Sequence, residues 1–206
     1  MEEQTREKIK EIKQGFRQMM NGETLRSMRD KGVGYHLNWG ASIMDLRRKA
    51  DEIGENYDLA IGLWKENIRE CKILATMLMP RQRMEADMVE LWMEQTEEQE
   101  TAEQAVFNLY QYLPFAPVLA FRWMASGRDI EQMSGFLLMG RLFMNGYEPD
   151  ERRIAEYIDQ VQCALTDGSF RVRRAATNSI MRFAQLSELH REIAAKAMKN
   201  TDLELF

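Results

Sequence analysis

The 206-residue chain holds only four prolines and twelve glycines, too few for the turn-dense layout of a β-sandwich or barrel. Its two cysteines, Cys71 and Cys163, stand in unrelated contexts, which excludes a disulfide framework or a cysteine metal site. Both fall inside apolar helical patterns and are expected as reduced core thiols. The two histidines, His36 and His190, have no Cys, His or acidic neighbour at metal-ligand spacing, so a zinc or iron site is not expected. A Gly-rich phosphate loop, a nucleophile elbow and a kinase-like residue set are all missing. No apolar run approaches the length of a bilayer, and the amino-terminal MEEQTREKIKEIKQGF is charged and amphipathic, without a signal-peptide core. The expectation is a soluble, cytoplasmic protein with no membrane, metal or cofactor partner. With 28 basic and 33 acidic residues, net −5, the chain does not coat itself in phosphate contacts, so any nucleic-acid surface has to be local.

What is abundant is helix-forming: Met, Leu, Ala, Glu, Arg and Gln dominate, and the length suffices for one domain or one continuous array. An all-α protein follows. Ile68, Cys71, Leu74, Ala75 and Leu78 recur at helical spacing, with Arg69, Glu70 and Lys72 on other faces and Pro80 closing the segment. Pro114 suits a first helical turn ahead of Phe115, Val118, Leu119 and Met124, and Gly127 ends that stretch. Asp150 suits an N-cap, and TDGS, residues 166–169, stops the helix it opens. About a dozen helices result, joined by short loops. LAIGLWKEN, DMVELWMEQ and VLAFRWMAS each set a tryptophan near the end of an apolar segment, and Trp64, Trp92 and Trp123 lie 28 and 31 residues apart. Each is followed by a second apolar helix. Such spacing marks helix-hairpin repeats that bury their faces only against neighbours, so the tryptophans read as packing anchors. The fold expected is an α-solenoid, a superhelix of stacked antiparallel helix pairs. It forms one domain over residues 1–206: amino-terminal helices and a loop to 39, repeats over 40–186, and a capping helix with a tail over 187–206. Met77, Met79, Met84, Met88 and Met93 read as adaptable core filling or as a pliable partner surface. The aromatic YHLNW, residues 35–39, sits in a loop, either packing beneath the first repeat or leaning on a nucleic-acid backbone.

Two charge runs stand out. Between Glu85 and Glu103 there are eight carboxylates and no Lys or Arg. Most are expected on the solvent face of a helix and its loop, with no basic partner. Glu103 differs, because it opens a helix beside Ala105, Val106 and Leu109, where the scaffold can aim it. From Ser169 to Asn200 the sign reverses: seven basic residues, Arg171, Arg173, Arg174, Arg182, Arg191, Lys196 and Lys199, face only Glu188 and Glu192. Arg171, Arg174 and Arg182 share one helical face while Arg173 points aside. The set is either a solvated face with local ion pairs or a grip on phosphates through the bidentate guanidinium fork.

GASIMDLRRKADEIGENYDLAIGLWKENIRECKILATML, residues 40–78, resembles the early segment of the DNA alkylation repair proteins of the AlkD type. A Gly-containing loop precedes a helix with Asp-Leu-Arg, an apolar helix ends in Leu-Trp, and the next carries Glu, a basic residue and Leu-Ala. The likeness runs on through NLYQYLPFAPVLAFRWMAS and RVRRAATNSIMRF. It implies HEAT-like helical repeats that hold double-stranded DNA, alkylated duplex included, and an alkylpurine N-glycosylase that removes cationic bases such as 3-methyladenine and 7-methylguanine. In that chemistry the base leaves readily, and the protein stabilises an oxocarbenium-like sugar and positions a water. The family's catalytic Asp position falls on Glu103, its Trp four residues earlier on Gln99, and its DNA-contacting Arg on Arg174. The resemblance thus marks Glu103 and Arg174 as catalytic candidates and Gln99 as a DNA contact, and the basic run adds Arg171, Arg173 and Arg182 as candidate DNA contacts. A shifted alignment would put Glu100 at the catalytic position. Beside the enzyme stand two other readings, a DNA-binding module of the same fold that cuts nothing and a repeat scaffold for a protein partner.

Overall fold

A computed structural model of the chain describes residues 3–30 and 34–199. Among them are twelve α-helices, two 3-10 turns and no strand, with one isolated bridge between Leu37 and Ile68. The end of the basic run at Asn200 and the carboxy-terminal tail lie outside the described residues. The chain divides into two compact units, Met1–Leu109 and Tyr110–Phe206.

The first unit contains α1 (Glu3–Gln18), α2 (Gly22–Asp30), α3 (Ile43–Ile53), α4 (Tyr57–Trp64), α5 (Arg69–Leu78), α6 (Ala86–Glu94) and α7 (Gln99–Asn108). Helix α5 packs on α3, α4 and α7. The local signals are ordinary ones: Ser42 and Asn56 cap α3 and α4 by accepting from the N–H of Asp45 and Leu59, and α5 ends at Leu78, two residues before Pro80. Trp64 and Trp92, at the ends of α4 and α6, stack face to face with centroids 4.0 Å apart. Trp64 Nε1 donates to Gln95 Oε1 at 2.9 Å. Lys72 lies over the Trp64 ring at 5.1 Å and donates to the Gln95 carbonyl, and burial lowers its pKa. The expected packing role of the tryptophans is what the geometry shows. Of the methionine group, Met79, Met84 and Met93 are buried.

Helix α5 departs from its expected amphipathic form. Arg69 is 2% exposed and Glu70 fully buried, because α5 is covered by helices on several sides and the loop before α3 closes over its first turn. Glu70 Oε1 accepts the backbone N–H groups of Trp39, Gly40 and Ala41 at 3.1, 2.9 and 3.2 Å. Arg69 Nη1 donates to the Ala41 carbonyl at 2.8 Å, and Arg69 Nε and Nη2 clasp the two oxygens of Glu100, each at 2.7 Å. Burial opposes the Arg69 charge, but the Glu100 hydrogen bonds and the charges of Glu100 and Glu70 outweigh it and raise the pKa. Gly40 is required here. Its φ is +74°, and a Cβ would lie 2.7 Å from the Asn21 carbonyl oxygen. The YHLNW loop is packed at its two ends: Trp39 is buried against Phe16, and the Tyr35 hydroxyl donates to Glu100 Oε2 at 3.1 Å, while His36 and Leu37 between them are exposed.

The second unit contains α8 (Ala116–Met124), α9 (Asp129–Met144), α10 (Glu151–Asp167), α11 (Phe170–Ala184) and α12 (Glu188–Met198). Pro117, not Pro114, occupies the first turn of α8; Pro114 sits in the link, where the Ala116 N–H bonds the Leu113 carbonyl. Asp150 caps α10 as expected, accepting from the Arg153 N–H, and α10 stops at Gly168. Helix α9 is the centre, buried on nearly every face and packed on α8 and α11. Its glycines explain how both neighbours come so close. A Cβ at Gly140 would touch Ser179 of α11 at 3.4 Å, and one at Gly135 would lie 2.5 Å from the Met124 backbone nitrogen and 2.9 Å from the Ala120 carbonyl oxygen. Gly135→Ala is therefore expected to lose about 1–3 kcal/mol through forced separation of α8 and α9, whereas the same change at Gly127, where the added atom meets open space, should leave urea denaturation unchanged. Phe143, Tyr157 and Phe183 form the aromatic core, and the buried Tyr157 hydroxyl donates to Ser179 Oγ at 2.8 Å. Cys71 is buried and its thiol pKa is pushed up by desolvation. Cys163 is exposed, a correction to the expected core thiol: Val161 and Ala164 take the buried phase of α10 and turn residue 163 outward.

Candidate nucleic-acid interface

Helix α11 opens after Gly168 and Ser169 and buries Val172, Ala175, Ala176, Ser179, Ile180, Phe183 and Ala184. That set fixes the rotation of the helix and leaves the opposite face to water. Arg171, Arg174 and Arg182 are all exposed on it, as their spacing predicts. Asn178 falls between Arg174 and Arg182, and Gln185 follows; both are exposed and lie on the same face. Carrying no charge, these two do not stand out in the sequence, although their spacing of four and three residues from the arginines places them in the stripe.

The four arginines are not equivalent. Arg173 Nη1 donates to the Gly168 carbonyl at 2.7 Å, closing the end of α10, and Arg182 Nη1 donates to Gln185 Oε1 at 3.1 Å. Arg171 and Arg174 have no hydrogen-bond or ion-pair partner among the described residues. Two guanidiniums are therefore held on a rigid helix with their donors facing solvent. In α12, Arg191 pairs with Glu188 at 2.6 Å. His190 Nδ1 lies 2.8 Å from Ser187 Oγ, and its ring meets Phe183 edge-on. This histidine completes a helix start.

In the first unit, Gln99 and Glu103 lie one turn apart on α7, both partly exposed, and Gln99 Nε2 donates to Glu103 Oε1 at 2.7 Å. The other Glu103 oxygen has no partner among the described residues. Glu100 is different. Both its oxygens are taken by Arg69, and one also accepts from Tyr35. That corrects the expectation that the carboxylates from Glu85 to Glu100 lack a basic partner. The partner lies 31 residues earlier, on α5, out of reach of any reading confined to the acidic run. Glu85, Asp87, Glu94 and Glu97 do face solvent. His36 and Tyr35 line a cleft of about 290 Å³ with Lys72, Glu97, Glu98 and Thr101, a mixed-charge lining. Among the described residues no cluster of three His, Cys, Asp or Glu is placed to hold a metal ion, and no helix is long and apolar enough to cross a membrane.

No curated protein matches the chain in sequence. In structure it is similar to a member of a new family of proteins related to the HEAT-like repeat DNA glycosylases with affinity for branched DNA structures. The TM-score is 0.82 at 16% identity, over 92% of this chain and 81% of the other. The fold is thus a HEAT-like helical repeat, as the family resemblance implies and in keeping with the helix-hairpin array expected from the tryptophan spacing. The family model of the DNA alkylation repair enzymes matches residues 12–188, beginning inside α1, well before the resemblance legible from Gly40. On that match the chain belongs to the DNA alkylation repair enzyme family.

Proposed function

We propose that this protein binds DNA through the exposed face of α11 and holds it without cutting a glycosidic bond. The binding half rests on Arg171 and Arg174, whose guanidiniums have no protein partner. An arginine left unpaired on a helix that also carries Asn178 and Arg182 matches the bidentate geometry of phosphate oxygens. The structural neighbour's affinity for branched DNA agrees with this reading.

The non-cutting half rests on one observation, the 2.7 Å bond from Gln99 to Glu103. Excision of a cationic base needs a carboxylate whose charge is aimed at the developing sugar cation. Here the amide engages one carboxylate oxygen. The glutamate stem also carries the charge a methylene further than an aspartate would, and displacements of about 1 Å cost such reactions heavily. Gln99 has no aromatic face to support a flipped-out or distorted nucleotide, a contribution of about 1–3 kcal/mol where stacking occurs.

A second reading is excision of 3-methyladenine or 7-methylguanine with Glu103 as the electrostatic group, favoured by its second, unpartnered oxygen. Free-base release separates the two. With methylated duplex saturated by protein, the expected result is no free base above the spontaneous rate, for wild type and for Glu103→Gln alike. Release by the wild type that disappears in Glu103→Gln, with DNA binding retained, would replace the binding reading by the enzymatic one.

A further inference from the structure

The first residue of α11 carries an observation that the basic stripe does not absorb. Phe170 is 74% exposed, the most exposed aromatic side chain among the described residues. Among the described residues the ring stacks on no other aromatic side chain. The apolar anchor of this helix turn is Val172, fully buried, and the first helical position accepts polar residues readily. Phe170 stands four residues before Arg174, which makes the two neighbours along the helix surface, and it adjoins Arg171. One large apolar ring and the two unpartnered guanidiniums therefore share the amino-terminal end of one exposed face.

This juxtaposition has a consequence once a phosphate backbone is seated on Arg171 and Arg174. The ring then lies within a side chain's reach of the nucleotides beside those phosphates. In a continuous duplex the base faces are closed by stacking, and a phenyl ring meets only sugar and groove edges. At a gap or a branch point one base face is open, and every base has a π-face on which an aromatic ring can stack regardless of sequence. We infer that Phe170 stacks on a base face left open at an interruption of the duplex, so that the α11 surface prefers gapped or branched DNA to continuous duplex. The inference rests on the DNA-binding reading and adds to it the residue that selects an interrupted duplex and the stacking contact by which it does so.

The test uses the full chain and three DNAs of closely matched phosphate number, their ends closed by non-nucleotide linkers so that neither a terminal base pair nor a loop base is open: a continuous duplex, the same duplex with a one-nucleotide gap, and a three-way junction. Binding is read by fluorescence anisotropy at one salt concentration. Wild type is expected to bind the gap and the junction about tenfold more tightly than the duplex, the size of a stacking contribution. Phe170→Ala should lose that preference while keeping the wild-type Kd for continuous duplex, and Phe170→Trp should keep the preference. A wild type without preference, or a Phe170→Ala variant that retains it, overturns the inference and leaves the DNA-binding reading standing. Failure of the wild type to bind any of the three DNAs overturns both. Sedimentation of the protein alone is the remaining arm: self-association that Phe170→Ala abolishes would assign the ring to a protein contact and overturn its role on DNA.

Discussion

Arg69→Met should destabilise the protein by about 3–5 kcal/mol, the cost of removing one member of a buried ion pair and leaving the other charged. The variant keeps the volume and the unbranched stem of the side chain but takes away four donations: two to Glu100, one to Glu70 and one to the Ala41 carbonyl. Glu70 stays fully buried, now held only by the three backbone N–H groups of residues 39–41. Urea denaturation followed by circular dichroism would show the midpoint displaced accordingly. Arg69→Lys should fall between the two, because an ammonium keeps the charge but cannot span both Glu100 oxygens as the guanidinium fork does. A change below about 1 kcal/mol, the level of an exposed pair, would mean that the cluster is solvated in solution and does not fasten the 35–41 loop to α5 and α7.

The second large effect concerns binding. Each phosphate contact to duplex DNA releases about 0.9 counterion, so removing three guanidiniums in Arg171→Ala/Arg174→Ala/Arg182→Ala should flatten the slope of log K against log salt by about 2.7. Between 50 and 200 mM salt the wild type should then lose about 40-fold more affinity than the triple variant. Arg173→Ala is the control. Arg173 lies off the face that carries the other three, with one N–H on the Gly168 carbonyl, and its loss should leave the salt slope nearly unchanged, with a small cost in stability from the opened end of α10. A triple variant with the wild-type slope would assign the stripe to solvent and locate DNA binding on another surface.

How far the sequence carried differs from element to element, for physical reasons. Trp64, Trp92 and Trp123 announce the repeat because large aromatics recurring at a fixed interval have few uses other than packing, and all three are buried. The cap at Asp150 and the face of α11 were legible because both are set by residues within one or two turns of each other. The Arg69 cluster was not. Its members lie at residues 35, 39–41, 69–70 and 100, brought together only when successive helices stack, and helical periodicity places charged residues on solvent faces by default. The rotation of α10 that exposes Cys163 was likewise out of reach, since a short apolar pattern fits more than one phase. At the candidate site, the resemblance located Gln99 and Glu103, but the hydrogen bond between them follows from side-chain conformations that no spacing rule fixes.

The central claim is that a net-acidic chain of this family grips DNA with a local basic face. It is tested most directly by titrating wild-type protein into hairpin-closed duplex at several salt concentrations, from about 50 to 200 mM, the range over which phosphate contacts dominate the change in affinity. The expected result is binding whose logarithm falls linearly with log salt, with a slope of about −2.7 or steeper for three engaged guanidiniums. A flat line, or no binding at the lowest salt, would contradict it.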